Sequence, residues 1–129
     1  LHIEVIDLLN NKVEAEIGVA SAMTAAFLSE VHDSPPQVTE NAAESARQHH
    51  LGMTCDPVAG YVQVPCIERC AFGAVKAWVA FTIATNEIAS NHRVDLDTTI
   101  ETLAETGKDM STKYKETSEG GLAANLVLC

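Results

Sequence analysis

The feature that most constrains the fold is the spacing of apolar residues in the first third of the chain. Between Val13 and His32 they recur at intervals of three and four, the pattern of an amphipathic helix. Small residues from Gly18 to Ala26 would let neighbouring helices approach closely. Apolar residues make up 47% of the sequence and aromatic residues only 5%, which favours packed helices over sheets. The predicted apolar face consists of Ile17, Ala20, Met23, Thr24, Phe27, Leu28 and Val31.

Prolines and glycines predict where the next elements begin and end. Asp33-Ser34-Pro35-Pro36 is expected to end the first helix and to start a second, with a capping side chain before the prolines. That second helix should extend to His50. The stretch from Gly52 to Pro65 holds two glycines and two prolines and is interpreted as an ordered loop. A long, largely buried central helix is expected from Cys66 to about Ala89.

The C-terminal third predicts shorter elements. Asp95 or Asp97 can cap a helix that Gly107 would stop. One or two further turns are expected through Tyr114, and then a loop and an apolar terminal segment over residues 116–129. The sequence thus predicts an all-α fold, a compact helical domain of about five or six helices with a loop before the long central helix.

Size and charge limit the partners. We expect residues 1–129 to form a single domain and, because Leu1 falls within a helical pattern, to be a fragment of a larger protein. A net charge of −10 would repel nucleic acid and anionic lipid. The most apolar stretch, Ala77 to Ala84, is far shorter than the roughly 18 residues that cross a membrane. No signal-peptide pattern opens the chain, so the expected location is cytoplasmic.

The four cysteines are the main candidates for binding chemistry. Cys55, Cys66 and Cys70 lie within sixteen residues at the junction of the loop and the central helix, and Cys129 ends the chain. Cys66 and Cys70 share a helix face, a turn at Asp56-Pro57 could return Cys55 toward them, and a helix N-terminus favours thiolate. The spacing alone also allows buried structural cysteines, a zinc site or an iron–sulfur cluster, and it is not the compact ferredoxin pattern.

A resemblance to a known family narrows these alternatives. The segment Thr-Cys-Asp-Pro-Val-Ala-Gly-Tyr-Val-Gln-Val-Pro-Cys-Ile-Glu-Arg, residues 54–69, is similar to the cluster-binding segment of the iron–sulfur L-serine dehydratases. Residues 16–23 upstream, and 113–118 and 120–123 downstream, also resemble family segments. The likeness covers most of the chain from Glu16 onward, whereas the first fifteen residues match poorly.

The resemblance implies a 4Fe-4S cluster held by Cys55 and Cys66. The family's third cysteine falls at Val13, which cannot bind iron. Either Cys70 is a replacement ligand, the cluster is lost, or the sequence around Lys12-Val13 is incomplete. Cys129 corresponds to C-terminal cysteines that reach the cluster in this family. The implied reaction converts L-serine to pyruvate and ammonia, with cluster iron as Lewis acid, and requires a second (beta) domain or subunit. A homodimer is also possible within this interpretation.

Four further residues are candidates for handling substrate. Arg69 could pair with a substrate carboxylate, although a structural contact or a pair with Glu68 explains it equally well. His50, at a helix end, could be an acid or a base, against the simpler interpretation of a solvated histidine. Lys113 and Lys115 could cover an anionic substrate or merely form a solvated face. The competing hypothesis is a cluster-less, inactive helical module for assembly or regulation.

Overall fold

The protein is all-α, as the sequence predicts. A computed structural model describes residues 15–63 and 65–126, so Val13 and Cys129 lie outside the described residues. Single 3-10 turns occur at residues 58–60, 89–91 and 112–114. No helix within the described ranges is long and apolar enough to cross a membrane. The five described α-helices are α1 (Ala15–Val31), α2 (Pro36–Gln48), α3 (Cys66–Asn86), α4 (Leu96–Asp109) and α5 (Gly121–Asn125).

Helices α1 and α2 form an antiparallel pair joined by the short proline-containing connection. The guanidinium of Arg47, near the end of α2, donates to the carbonyl oxygen of Ala15 at the start of α1 at 2.8 Å. At the opposite end, the hydroxyl of Thr39 donates to Glu30 at 3.3 Å. The first residues of α1 therefore lie beside the last residues of α2.

Helix α3 runs parallel to α1. The hydroxyl of Ser21 donates to the carbonyl oxygen of Gly73 at 2.8 Å, and further along both helices the rings of His32 and Phe81 have centroids 4.8 Å apart. The N-termini of α1 and α3 consequently lie at the same end of the bundle as the C-terminus of α2. Two helix N-termini carry partial positive charge toward this end.

The core between these helices is built of small side chains. A methyl group at Gly18 would lie 2.9 Å from the Arg47 guanidinium, and one at Gly73 would lie 2.9 Å from the Ile17 side chain, so the helices are too close for larger residues. The expectation of close approach is confirmed. The main buried cluster is Ala25, Ala42, Ala46, Ala77, Ala80 and Ala84.

This close packing overturns the predicted apolar face of α1. Ile17 is buried, but Met23, Phe27 and Val31 are exposed. Apart from Ile17, which packs on Gly73, the buried stripe consists of small residues, Ala15, Gly18, Ser21, Ala25 and Ser29. The prediction of a largely buried central helix is also wrong for the described residues, since α3 buries mainly small residues together with Phe81 and exposes most of its large apolar ones.

Helix α4 attaches to α2 through a buried carboxylate. Glu44 is 1% exposed and accepts hydrogen bonds from the Thr99 hydroxyl at 2.7 Å and the Gln48 amide at 3.0 Å. Its other oxygen lies 2.9 Å from Nε2 of His92, whose Nδ1 lies 3.0 Å from Glu87. These linked contacts hold the segment between α3 and α4 against α2.

Several predicted boundaries hold and others shift. Asp95 caps α4 by accepting from the backbone N–H of Thr98 at 2.6 Å. Gly107 does not stop that helix, which continues to Asp109 with Gly107 buried inside it. Helix α2 begins after Pro35, which supplies no side-chain cap, so the expected capping side chain is wrong. The short helix α5 was not predicted.

Candidate functional site

The loop between α2 and α3 places two cysteines in the protein interior. Cys55 and Cys66 are 3% and 5% exposed, and Cys66 is the first residue of α3. The loop follows the C-terminus of α2, so both cysteines belong to the end of the bundle where α1 and α3 begin. Partial positive charge at helix N-termini stabilises anionic thiolates, the form of cysteine that binds metals.

Arg69 ties this loop to α3. Its Nη1 donates to the carbonyl oxygen of Thr54 at 2.6 Å, and its Nη2 pairs with Oδ2 of Asp56 at 3.2 Å. The Thr54 hydroxyl donates to the same carboxylate oxygen at 2.8 Å. The residues before and after Cys55 are thereby held to the first turn of the helix that carries Cys66. Arg69 pairs with Asp56, and Glu68 is exposed.

The segment after α4 packs on the same loop. The backbone N–H of Cys55 donates to the carbonyl oxygen of Tyr114 at 3.1 Å. The hydroxyl of Ser118 donates to the carbonyl oxygen of Pro57 at 2.5 Å. Ser118 adopts a positive φ of 59°, a conformation rare for a residue with a side chain. Residues 114–121, here called the tail, therefore cover the loop that carries Cys55; all of them except Glu119 lie in the two downstream segments that resemble the family.

Asp56 lies at the junction of these segments. Its side chain is 2% exposed, and Oδ1 is the one buried side-chain oxygen or nitrogen among the described residues that lacks a hydrogen-bond partner. The α-carbon of Gly121 packs against that oxygen so closely that a Cβ there would overlap it. A Cβ at Gly120 would lie 2.6 Å from the Lys113 carbonyl oxygen. The two glycines allow the tail to lie against the loop.

His50 is buried, which contradicts the simpler interpretation of a solvated histidine at a helix end. It is 3% exposed, and Nδ1 donates to the carbonyl oxygen of Ala46 at 2.7 Å. Burial lowers the pKa of His50, aided by the nearby charge of Lys76, although the hydrogen bond to Ala46 acts in the opposite direction. The lowered pKa favours the neutral imidazole, whose lone pair lies at Nε2 because Nδ1 donates to Ala46.

Arg47 was not identified from the sequence. It is 3% exposed, and burial lowers the pKa of its guanidinium to about 10, so it stays protonated at neutral pH. Its bond to Ala15 holds the N-terminus of α1 at the site. Asp56 was noted only as a turn residue. Two sequence signals could have identified these residues. Arg47 lies among alanines late in a predicted helix, and Asp56-Pro57 directly follows Cys55.

The remaining candidates are spread around the site. Cys70 is exposed and lines a groove of about 310 Å³ between α1 and α3, together with Glu16 and Thr24. Lys113 is exposed, with its Nζ 4.8 Å from the centroid of the Tyr114 ring. Within residues 15–63 and 65–126, no three His, Cys, Asp or Glu side chains form a group that could hold a metal ion.

Fold and site together define a class of protein: an all-α domain organised around a loop with two buried cysteines. Residues 13–123 match the family model described as serine dehydratase alpha chain. L-serine dehydratase of Streptomyces coelicolor is 52% identical, and L-serine dehydratase 2 of Escherichia coli is 55% identical, each over 116 residues. L-serine dehydratase of Haemophilus influenzae is 54% identical over 114 residues.

The chain belongs to the serine dehydratase alpha chain family. The matches to the Streptomyces and Escherichia relatives cover 90% of this chain and 25% of each relative, and the Haemophilus match covers 88% and 25%. The chain therefore spans about a quarter of the length of these relatives. The matched region includes the cysteine loop, α3 and the segment that covers the loop.

Proposed function

We propose that this chain is the cluster-binding part of an L-serine dehydratase that converts L-serine to pyruvate and ammonia. The observation that carries the proposal is the pair of buried cysteines, Cys55 and Cys66, on a loop that Arg69 and the tail hold against α3. Family membership and the names of the relatives point to the same reaction. We expect activity to require the further polypeptide that the relatives possess.

The donor set fits two of the ligands of a 4Fe-4S cluster. Both thiols are buried, which suits thiolate ligands shielded from water, and Cys66 lies at the N-terminus of a 21-residue helix. Cys129 and Cys70 are the two candidates for a third thiolate. When bound, such a cluster would supply a Lewis-acidic iron that assists departure of the serine hydroxyl.

The chain's own residues would prepare the site for substrate. His50 is our candidate for the base that removes the α-proton, because its Nδ1–H is engaged by Ala46 and Nε2 is left to accept. Lys113 and Lys115 would attract the serine carboxylate from the covering segment. Arg69 would act through the loop rather than on the substrate, since its guanidinium is directed to Thr54 and Asp56.

Anaerobic reconstitution with iron and sulfide tests the cluster. We expect the wild-type chain to gain the broad visible absorbance of an iron–sulfur protein, and the Cys55→Ser/Cys66→Ser double variant to gain none. The Cys70→Ser variant makes the same substitution at an exposed cysteine and tests whether Cys70 is the third ligand. Unchanged absorbance in Cys70→Ser excludes Cys70 as the third thiolate, whereas loss of absorbance assigns it to Cys70.

Two results would count against the proposal. Absence of absorbance in a folded wild-type chain would favour the inactive helical module instead. Absorbance that survives in the double variant would show that other residues bind the iron. Assay of pyruvate from L-serine, with and without the remaining polypeptide of a relative, then tests whether the chain needs a partner.

A further inference from the structure

Helix α3 presents a stripe of large apolar side chains to solvent. Phe72, Val75, Val79 and Ile83 follow at intervals of three and four, so they share one face of the helix. Their exposed fractions are 65%, 61%, 49% and 51%. The neighbouring face of α3 packs its alanines against α1 and α2. Apart from buried Phe81, α3 places its large apolar residues outside and its small ones inside, the reverse of the distribution in an isolated soluble domain.

The stripe borders a groove between α2 and α3. The groove has a volume of about 170 Å³, and its walls come from Ser45 on α2, from His49 directly after α2 and from three residues of the stripe on α3. Among the described residues that line the groove, Lys76 is the one lysine, arginine or carboxylate. An open apolar groove between two helices, with a row of side chains at helical spacing, has the shape that accepts a third helix.

We propose that the stripe formed by Phe72, Val75, Val79 and Ile83 binds an amphipathic helix from the polypeptide that the relatives carry beyond the matched quarter. The inference rests on the proposed function, because it identifies the partner as the remainder of the dehydratase. That partner helix would bury an apolar face against the stripe and place an acidic side chain near Lys76.

The length of the relatives and the charge of this chain favour this occupant over others. Each relative has about three times as much additional sequence as the matched region, since the match covers 25% of it. A second copy of the chain would bring together two molecules with a net charge of −10 each, which opposes association. The same negative charge disfavours binding to an anionic lipid surface.

Copurification tests the inference. The full chain is coexpressed with L-serine dehydratase 2 of Escherichia coli from which the matched quarter has been removed. The wild-type chain should copurify with it, and Val79→Asp should weaken binding about tenfold or more by placing a charge in an apolar contact. Val94→Asp is the matched control, because Val94 is 36% exposed and lies outside the stripe. Circular dichroism checks that both variants remain helical.

A second probe avoids dependence on folding of the truncated relative. Overlapping synthetic peptides of helical length, taken from the relative's sequence outside the match, are titrated against the chain. At least one should bind the wild-type chain and the Val94→Asp variant, but not Val79→Asp. Failure of both probes to bind the wild-type chain, or equal binding by the two variants, would overturn the inference.

Other occupants give different results. A dimer of the chain in sedimentation analysis that Val79→Asp dissociates would assign the stripe to self-association. Binding of anionic vesicles that Val79→Asp abolishes would assign it to a membrane surface. Either outcome contradicts the inference. None of these measurements requires a cluster, so failure here is distinguishable from failure of the reconstitution experiment that tests the proposed function.

Discussion

Replacing Gly121 with alanine should detach the tail from the cysteine loop. Gly121 has a φ of +57°, and an added Cβ would overlap Oδ1 of Asp56 and lie 2.9 Å from its Cγ. A non-glycine residue in this backbone region costs about 1 kcal/mol, and overpacking a buried contact costs about 1–3 kcal/mol more. The total, about 2–4 kcal/mol, acts on the docked tail rather than on the alanine core.

Hydrogen exchange measures the effect locally. The backbone N–H of Cys55 is protected by the Tyr114 carbonyl, so opening of the tail exposes it. A cost of about 2–4 kcal/mol corresponds to a roughly 30- to 1,000-fold faster exchange, or to complete loss of protection if docking is weaker than that. Amides within α3 should exchange as in the wild type, because the core is untouched.

Gly60→Ala is the matched control for the backbone term. Gly60 has a φ of +77°, and a Cβ there meets nothing within 4 Å, so the substitution imposes the conformational cost without the overlap. Its cost should stay near about 1 kcal/mol. If Gly121→Ala and Gly60→Ala accelerate exchange at Cys55 equally, or if Gly121→Ala has no effect there, the contact between the tail and Asp56 is refuted.

Three further predictions concern the stability of the domain. Because burial lowers the pKa of His50, the unfolded chain takes up the proton first, so the free energy of unfolding should fall as pH drops below about 6.5. His50→Gln should remove this dependence in urea titrations, whereas exposed His49→Gln should retain it. Glu44→Ala should cost about 3 kcal/mol in the same assay, since it leaves the buried Thr99 hydroxyl without its acceptor and removes one of the two carboxylates paired with His92; a loss under about 1 kcal/mol would contradict this. Asp95→Ala should lower stability by about 1 kcal/mol through loss of the cap of α4, and an equal loss in Asp97→Ala would show that the cap is not responsible.

The all-α fold, the positions of the main helices and the cysteine loop could be predicted from the sequence. Helical periodicity, abundant alanine and the proline and glycine boundaries are local signals, and they require no knowledge of neighbours. The family could also be recognised from residues 54–69, because they form one unbroken stretch of the chain. The cap at Asp95 was among the two candidates because capping depends on residues a few positions apart.

Which faces of the helices are buried was decided only by the tertiary structure. Periodicity selected Met23 and Phe27 for the core of α1, but α1 meets α2 and α3 mainly through Ala15, Gly18, Ser21, Ala25 and Ser29, with Ile17 accommodated where Gly73 has no side chain. Burial of His50 and the bond between Arg69 and Asp56 likewise depend on segments distant in sequence. The sequence by itself determined the helices and the cysteine loop, because those signals are local. The packing of the tail on that loop and the outward apolar stripe of α3 arise from contacts between distant segments, which no local pattern encodes.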